Sequence, residues 1–335
     1  MRPSLLPRLV NGPFEDPALF IRFLFENRAL LFDLGDICNL STRDILKISH
    51  VFVSHAHMDH FVGFDRLLRI FLGRDKKLHV FGPAGIIQNV AGKLSGYQWN
   101  LVEKFTYPFS IEVTEIRNDG LESCTFQSRD RFEPRQDHST RAFSTRILTE
   151  PAFSVHVAVL DHRIPCLALC LQETFHINIK KDALMALDLR PGPWIQILKQ
   201  AIYRKLPSDT PIEIPGPERT RQYPLDSLSQ KIATISSGQK IAYITDIVYS
   251  IKNINKIKEL ASNCDQLFIE TAFLDQDRSI AKAKYHLTAR QAGRIAAMLA
   301  AKKVIPFHFS PRYMDRAEQV EAEMFAAFDE TLKIQ

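Results

Sequence analysis

His50-Val51-Phe52-Val53-Ser54-His55-Ala56-His57-Met58-Asp59-His60 joins a short apolar run to three histidines and an aspartate within six positions. A run of this length bounded by polar residues reads as a buried strand. The four ligand-type side chains then fall on the loop at its end, where the backbone can turn sharply enough for them to converge. Histidine nitrogen and carboxylate oxygen suit zinc, at ligand distances of ~2.0–2.2 Å. His55 and His57, two residues apart, can aim the same way. Asp59 and His60, adjacent, can serve a second ion. A lone histidine is ordinarily a satisfied core or surface residue, and His50, His79, His138, His156 and His176 are read so. Four donors in six positions have few structural excuses.

Working outward, short apolar runs alternate with helical patterns. Arg28 to Leu34 reads as a strand, as does Leu78 to Phe81. Between them Phe64, Leu67, Leu68, Phe71 and Leu72 recur at helical spacing. Gly82-Pro83 is expected to open a helix with Ile86, Ile87, Val90 and Leu94 on one face. Phe153 to Leu160 and Cys166 to Gln172 read as strands around a loop at Asp161-His162-Arg163. Ile241 to Thr245, Gln266 to Ile269 and Val304 to Phe307 read as further strands, with a helix from Asn253 to Ala261. Thr288 is expected to cap a helix that buries Ala292, Ile295, Ala296 and Leu299. Asp315, three residues before Glu318, is expected to cap the last helix. Residues 106–150 are polar and weakly periodic, and read as an insertion of irregular structure with short strands. Residues 174–230 read as a second irregular region, an arm, lid or linker.

The chain has 335 residues, 45% of them hydrophobic, which is ample for a large core. Its net charge of +5 is compatible with a polyanionic partner and equally with an ordinary soluble enzyme. Five cysteines, with no CxxC pair, argue against a disulfide framework and for a reducing cytoplasm. Cys166 and Cys170 share one strand face and are read as core. No segment reaches the ~18–20 apolar residues that span a bilayer, so a soluble, intracellular protein without membrane contact is expected.

His55, His162, Asp246 and His308 each follow an apolar strand. In layered α/β proteins such loops gather at one edge of the sheets, where ligands bind. Two metals ~3.5–4 Å apart clamp the attacking and leaving oxygens of an in-line displacement and lower the pKa of a bridging water to near 7. That suits hydrolysis of a phosphodiester or related ester, and a carboxylate such as Asp246 can bridge the two ions.

The HxHxDH run resembles the signature of the metallo-β-lactamase fold superfamily, a four-layer αββα sandwich. Leu160-Asp161-His162-Arg163-Ile164-Pro165, Tyr243-Ile244-Thr245-Asp246, Glu270-Thr271-Ala272 with His286-Leu287-Thr288, and Pro306-Phe307-His308-Phe309-Ser310-Pro311-Arg312-Tyr313 are similar to the later motifs of its ribonuclease Z branch, in that branch's order. The resemblance implies a single metallo-β-lactamase-like domain over 1–335 with an inserted arm, and a binuclear zinc endoribonuclease that removes 3′ trailers from precursor tRNA. It implies His55, His57 and His162 on one zinc, Asp59, His60 and His308 on the other, and Asp246 between them. Asp59 would orient the attacking hydroxide. His286, held by Glu270, would donate a proton to the leaving 3′-oxygen, and Ser310 and Arg312 would lie near phosphate.

The family's arm grips the tRNA elbow, often across a homodimer. Lys180-Lys181 and Pro191-Gly192-Pro193 resemble its basic stretch and glycine–proline turn, and a plain solvated loop is the competing reading. Histidine and carboxylate donors also accept manganese or iron. Two features depart from the family. Gly35-Asp36-Ile37-Cys38-Asn39 replaces its usual loop, and Ile247 follows the bridging aspartate. The altered loop, with the enlarged insertion at 106–150, motivates an alternative, a related hydrolase of a small phosphodiester or sulfate ester. A metal-free RNA-binding relative is a third reading, which the complete ligand set opposes.

Overall fold

The computed structural model describes residues 4–216 and 219–334, apart from the side chains of 103 and 136–140. The first half of the chain builds one sheet in strict sequence order. Its strands are β1 (Leu5–Leu9), β2 (Leu19–Phe23), β3 (Ala29–Phe32), β4 (Ile48–Phe52), β5 (Lys76–Pro83), β6 (Phe109–Ile116), β7 (Gly120–Gln127) and β8 (Pro134–Ala142). Helices α1 (Thr42–Ile45), α2 (Met58–Phe61), α3 (Phe64–Phe71) and α4 (Ile86–Ser95) pack on its outer face. In α3 the buried residues are Phe64, Leu67, Leu68 and Phe71, one apolar stripe at helical period.

The second sheet opens with β9 (Arg146–Thr149), β10 (Phe153–Asp161) and β11 (Pro165–Glu173). The chain then leaves it for β12 (His176–Ile179), α5 (Lys181–Ala186), α6 (Trp194–Tyr203), β13 (Pro211–Ile214), β14 (Arg221–Pro224), α7 (Leu225–Ile232) and β15 (Ala233–Ser236). It returns with β16 (Lys240–Ile244), α8 (Ile251–Ala261), β17 (Gln266–Glu270), α9 (Arg278–Lys284), α10 (Ala289–Met298), β18 (Val304–Phe307) and α11 (Ala317–Ile334). The sheet order is β18-β17-β16-β11-β10-β9, with β16, β17 and β18 parallel.

Three cores define four layers. One lies between the first sheet and α1–α4, one between the second sheet and α8, α10 and α11, and the third between the sheets. The alternation in β10 explains the third: Val155, Val157 and Val159 enter the inter-sheet core, while His156 and Ala158 point the other way. The αββα sandwich expected from the motifs is the observed architecture.

Several local expectations are corrected. Residues 106–150 are not irregular: β6, β7 and β8 are long strands that extend the first sheet, and β9 starts the second. Their polarity misleads because β6 and β7 bury only alternate residues, Ile111 and Val113 or Leu121, Cys124 and Phe126. Most of 174–230 is also regular: three helices and the β13–β14 hairpin, with β12 paired to β15 just beyond it, surround a small core of their own that includes Leu184, Trp194, Leu198, Ile212, Leu228 and Ile232. Gly82-Pro83 ends β5 instead of opening α4, which starts after Gly85 in a left-handed conformation. Asp315 lies inside a 3₁₀ turn, Pro311–Arg316, and does not cap α11. Thr288 caps α10 in a full capping box with Gln291. Among the described residues none of the five cysteines forms a disulfide, and Cys166 and Cys170 are buried. Among the described residues no helix is long and apolar enough to cross a membrane.

The crossing of α10 and α11 has no slack. A Cβ on Gly293 would lie 2.1 Å from the Met324 carbonyl oxygen, whereas one on Gly92 in α4 would meet open space. Gly293→Ala is therefore expected to lower stability by about 2–3 kcal/mol, the scale of overpacking. Gly92→Ala should raise it by ~0.5–1 kcal/mol through helix propensity. Urea unfolding midpoints of the two variants test both signs.

Candidate metal centre

The ends of β3, β4, β10, β16, β17 and β18 converge on one edge of the sandwich. Asp33, Asp246 and His308, directly beyond strands or one residue after them, have φ of 59°, 46° and 60°. This left-handed backbone is sparsely populated by residues other than glycine and clusters at functional sites. Here it swings each side chain out of the strand direction and into a common space.

Donor atoms of His55, His57, His162 and Asp246 lie within 4.8 Å of one another, as do those of Asp59, His60 and His308. Asp246 links the groups. Its Oδ2 is 3.5 Å from His55 Nε2, 3.6 Å from His162 Nε2 and 3.6 Å from His60 Nε2, and its Oδ1 is 3.4 Å from His308 Nδ1. Asp59 Oδ2 is 3.2 Å from His308 Nε2 and 3.4 Å from His60 Nε2. These spacings are too long for strong hydrogen bonds and leave room for a cation between the donors. His60 Nε2 and His308 Nδ1 are buried and without a hydrogen-bond partner, a costly state unless something else occupies those lone pairs.

The opposite ring nitrogens are held. His55 Nδ1 lies 3.0 Å from Ser54 Oγ, His60 Nδ1 lies 2.7 Å from Asp33 Oδ2, and His162 Nδ1 lies 2.9 Å from the Tyr285 carbonyl oxygen. Such outer contacts set tautomer and ring orientation in metal-binding histidines. Burial, and then the charge of His60, hold His55 down to about 2, so its imidazole is neutral, the form that binds metal. Burial alone would raise the Asp246 carboxyl, but His308 and His60 hold it well below the usual carboxylate range.

Beside the donors is the glutamate–histidine pair. Glu270, fully buried at the end of β17, accepts from the Ile247 amide at 2.8 Å and meets His286 Nδ1 at 2.8 Å. Burial opposes the imidazolium, yet Glu270 and Asp246 raise His286 to about 9. With Nδ1 engaged, Nε2 is the atom left to meet a substrate. His286 lines a cleft of about 270 Å³ with Asp59, His308, Ser310 and Lys284, closed on another side by Phe14, Glu15 and Asp16. That last wall is closely packed: a Cβ on Gly35 would lie 2.6 Å from the Pro17 and Asp59 carbonyl oxygens, so the N-terminal loop and the donor loop meet across Gly35.

All the site residues read from the motifs around the metal come together here. Ser310 lines the cleft, and its Oγ accepts from the Arg312 amide at 3.4 Å, while the Arg312 side chain is exposed. Lys180, Lys181 and Gly192 do not join them. They sit in the separate unit between β11 and β16, the two lysines exposed at the start of α5 and Gly192 just before α6. Sequence reading missed Asp33, which also accepts from the Ser54 amide (2.6 Å), the Ser54 hydroxyl (2.8 Å) and the Tyr243 hydroxyl (2.8 Å). The available signal was a lone aspartate closing the apolar run Ala29-Leu30-Leu31-Phe32, just before Gly35. The N-terminal wall at Phe14–Asp16 gave no such signal.

The sequence profile of the Beta-lactamase superfamily domain matches residues 206–309, which include Asp246, Glu270, His286 and His308. Ribonuclease Z of Deinococcus radiodurans is 27% identical over 289 residues, covering 85% of this chain and 83% of that protein. Ribonuclease Z of Lactobacillus helveticus is 27% identical over 323 residues, covering 92% and 86%. The crystal structure of human tRNase Z, short form, superposes with a TM-score of 0.53 at 17% identity, covering 91% of this chain and 93% of that one. Layers and strand-end donors thus define the metallo-β-lactamase fold, and the similarity to ribonuclease Z makes the class that of the metal-dependent hydrolases. Within that class, the chain's similarity is to ribonuclease Z.

Asp33→Asn keeps the side chain's shape but removes the charge behind His60. Metal affinity, measured by chelator competition, is expected to fall by ~10–100-fold, the usual effect of losing such a support. Unchanged affinity would limit Asp33 to a packing role.

Proposed function

We propose that this chain is a binuclear metal-dependent endoribonuclease that removes 3′ trailers from precursor tRNA. The observation that carries the reading is the pair of buried Glu270 and cleft-lining His286, set against two donor groups that Asp246 lies between. His55, His57 and His162 would hold one ion, Asp59, His60 and His308 the other, with Asp246 between them. The orphaned nitrogens of His60 and His308 fit that occupancy. Two zinc ions, or manganese or iron, would supply Lewis acidity at the phosphate and activate water near neutral pH. Asp59, 41% exposed and reaching the cleft, orients the attacking water. His286 gives its Nε2 proton to the leaving 3′-oxygen, and Glu270 keeps that imidazole charged and fixed. Ser310 and Arg312 meet phosphate at the cleft edge. Lys180 and Lys181, with the Gly192 turn, form a remote basic contact for the body of the tRNA.

One feature favours a second reading. Glu15 and Asp16 face the cleft and disfavour a polyanion lying against that wall, which suits a small phosphodiester. A single assay compares a trailer-bearing precursor tRNA with bis(p-nitrophenyl) phosphate, each with added zinc or manganese. Cleavage of the tRNA at the trailer junction is the expected result. Strong diester hydrolysis with no tRNA cleavage at any salt concentration would replace the first reading with the second.

His286→Ala should retain its metal, measured by elemental analysis, while turnover on RNA drops by ~10²–10⁴, the range for a general acid. Normal turnover would remove His286 from the mechanism. Replacing Lys180 and Lys181 together by Ala should raise KM for precursor tRNA and lower the slope of log affinity against log salt by about 1–2. Diester hydrolysis should not change.

A further inference from the structure

A large cavity lies away from the metal centre, at the β10 edge and outer face of the second sheet. It measures about 540 Å³ and shares no lining residue with the catalytic cleft. Its origin is topological. Three helices serve that face; α8 packs against β10, β11 and β16, while α10 and α11 pack together and α10 meets β17. The β9–β10 side is bounded instead by the β6–β7 turn at Asn118 and by Phe143 and Thr145, before β9. The floor is His156, Ala158 and Gln172 from β10 and β11, and the far wall is Lys240, Lys256, Glu259 and Leu260.

The charge at this cavity is arranged for an anion. Lys256 Nζ donates to the Val159 carbonyl at 2.6 Å, and Lys240 Nζ to the Ser262 carbonyl at 2.9 Å. Each contact uses one of three N–H groups and positions the ammonium with donors to spare. Neither lysine has a carboxylate within ion-pair distance among the described residues, and Glu259 is the one acid in the lining. His156 is not a competing base: its Nε2 meets Ser154 Oγ at 2.9 Å, and burial, then Arg146 and Lys240, lower its pKa. Around the cations are one aromatic ring, Phe143, and three neutral groups able to read a heterocycle's edge, Asn118, Thr145 and Gln172. The volume falls within the ~300–1,000 Å³ of small-molecule sites.

We propose that this cavity is a second ligand site that takes a nucleoside monophosphate, its phosphate on Lys240 and Lys256 and its base against Phe143. The unit is the same whether the nucleotide is free or ends an RNA strand. Calorimetric titration of the metal-loaded protein with AMP tests it, with adenosine and inorganic phosphate as partial ligands and the trinucleotide pApApA as the strand end. AMP should bind at least tenfold more tightly than either partial ligand. Lys240→Gln with Lys256→Gln should weaken AMP at least tenfold while diester hydrolysis stays within twofold, which also shows that the variant is folded. Glu259→Gln should tighten AMP two- to fivefold, an independent check in the opposite direction. Tighter binding of AMP than of pApApA supports a free nucleotide, and the reverse supports an RNA end. No AMP binding at millimolar concentration, or wild-type affinity in the double-lysine variant, would overturn the proposal. So would adenosine or phosphate binding as tightly as AMP.

Discussion

Asp246 is 2% exposed, and a carboxylate withdrawn from water is tolerated only when positive charge or a cation surrounds it. Four imidazoles, from three separate regions of the chain, approach it to 3.4–3.6 Å. Everything else at this edge of the sandwich serves that arrangement. The parallel strands β16, β17 and β18 bring Asp246, Glu270 and His308 to one level, and β4 and β10 bring the remaining histidines from the opposite sheet and the neighbouring hairpin. The inter-sheet core, with Phe23 of the first sheet 5.1 Å from Phe153 of the second and Phe32 edge-on to Tyr243 at 6.1 Å, holds the two halves in register.

Asp33 shows how the two sheets are tied chemically as well as by packing. It belongs to the first sheet, yet its carboxylate takes a hydrogen bond from Tyr243 of the second while gripping Ser54 and His60 beneath the donor loop. One buried carboxylate therefore couples sheet-to-sheet packing to the orientation of the His60 ring. Cys166 plays a quieter part: its thiol donates to the Thr245 carbonyl at 3.3 Å and packs 3.8 Å from His55 Nδ1, filling the space behind the site.

The cleft is asymmetric. Lys284 and Ser310 line one part and Glu15 and Asp16 another, so the phosphodiester of the proposed reaction would meet different charge on the two sides of its scissile bond. The folded unit between β11 and β16, with its own core and exposed lysines, stands apart from this cleft in its residues as in its packing. On the function proposed above, recognition of a large substrate and cleavage of one bond fall to different parts of the chain.

The amino-acid sequence by itself placed the candidate donors. His55 to His60 is a local cluster, and His162, Asp246 and His308 each follow an apolar run, so strand periodicity alone put them at strand ends, while Glu270 entered through the family motif. The same local logic failed at 106–150 and 174–230. There the strands and helices bury only alternate or sparse residues, and their apolar faces are satisfied by partners distant in sequence. Tertiary structure alone decided that Asp33 stands behind His60, that Phe14 to Asp16 wall the cleft and that Lys240 and Lys256 share a cavity. Those relations join residues far apart in the chain, and no periodicity within a single segment encodes such a distance.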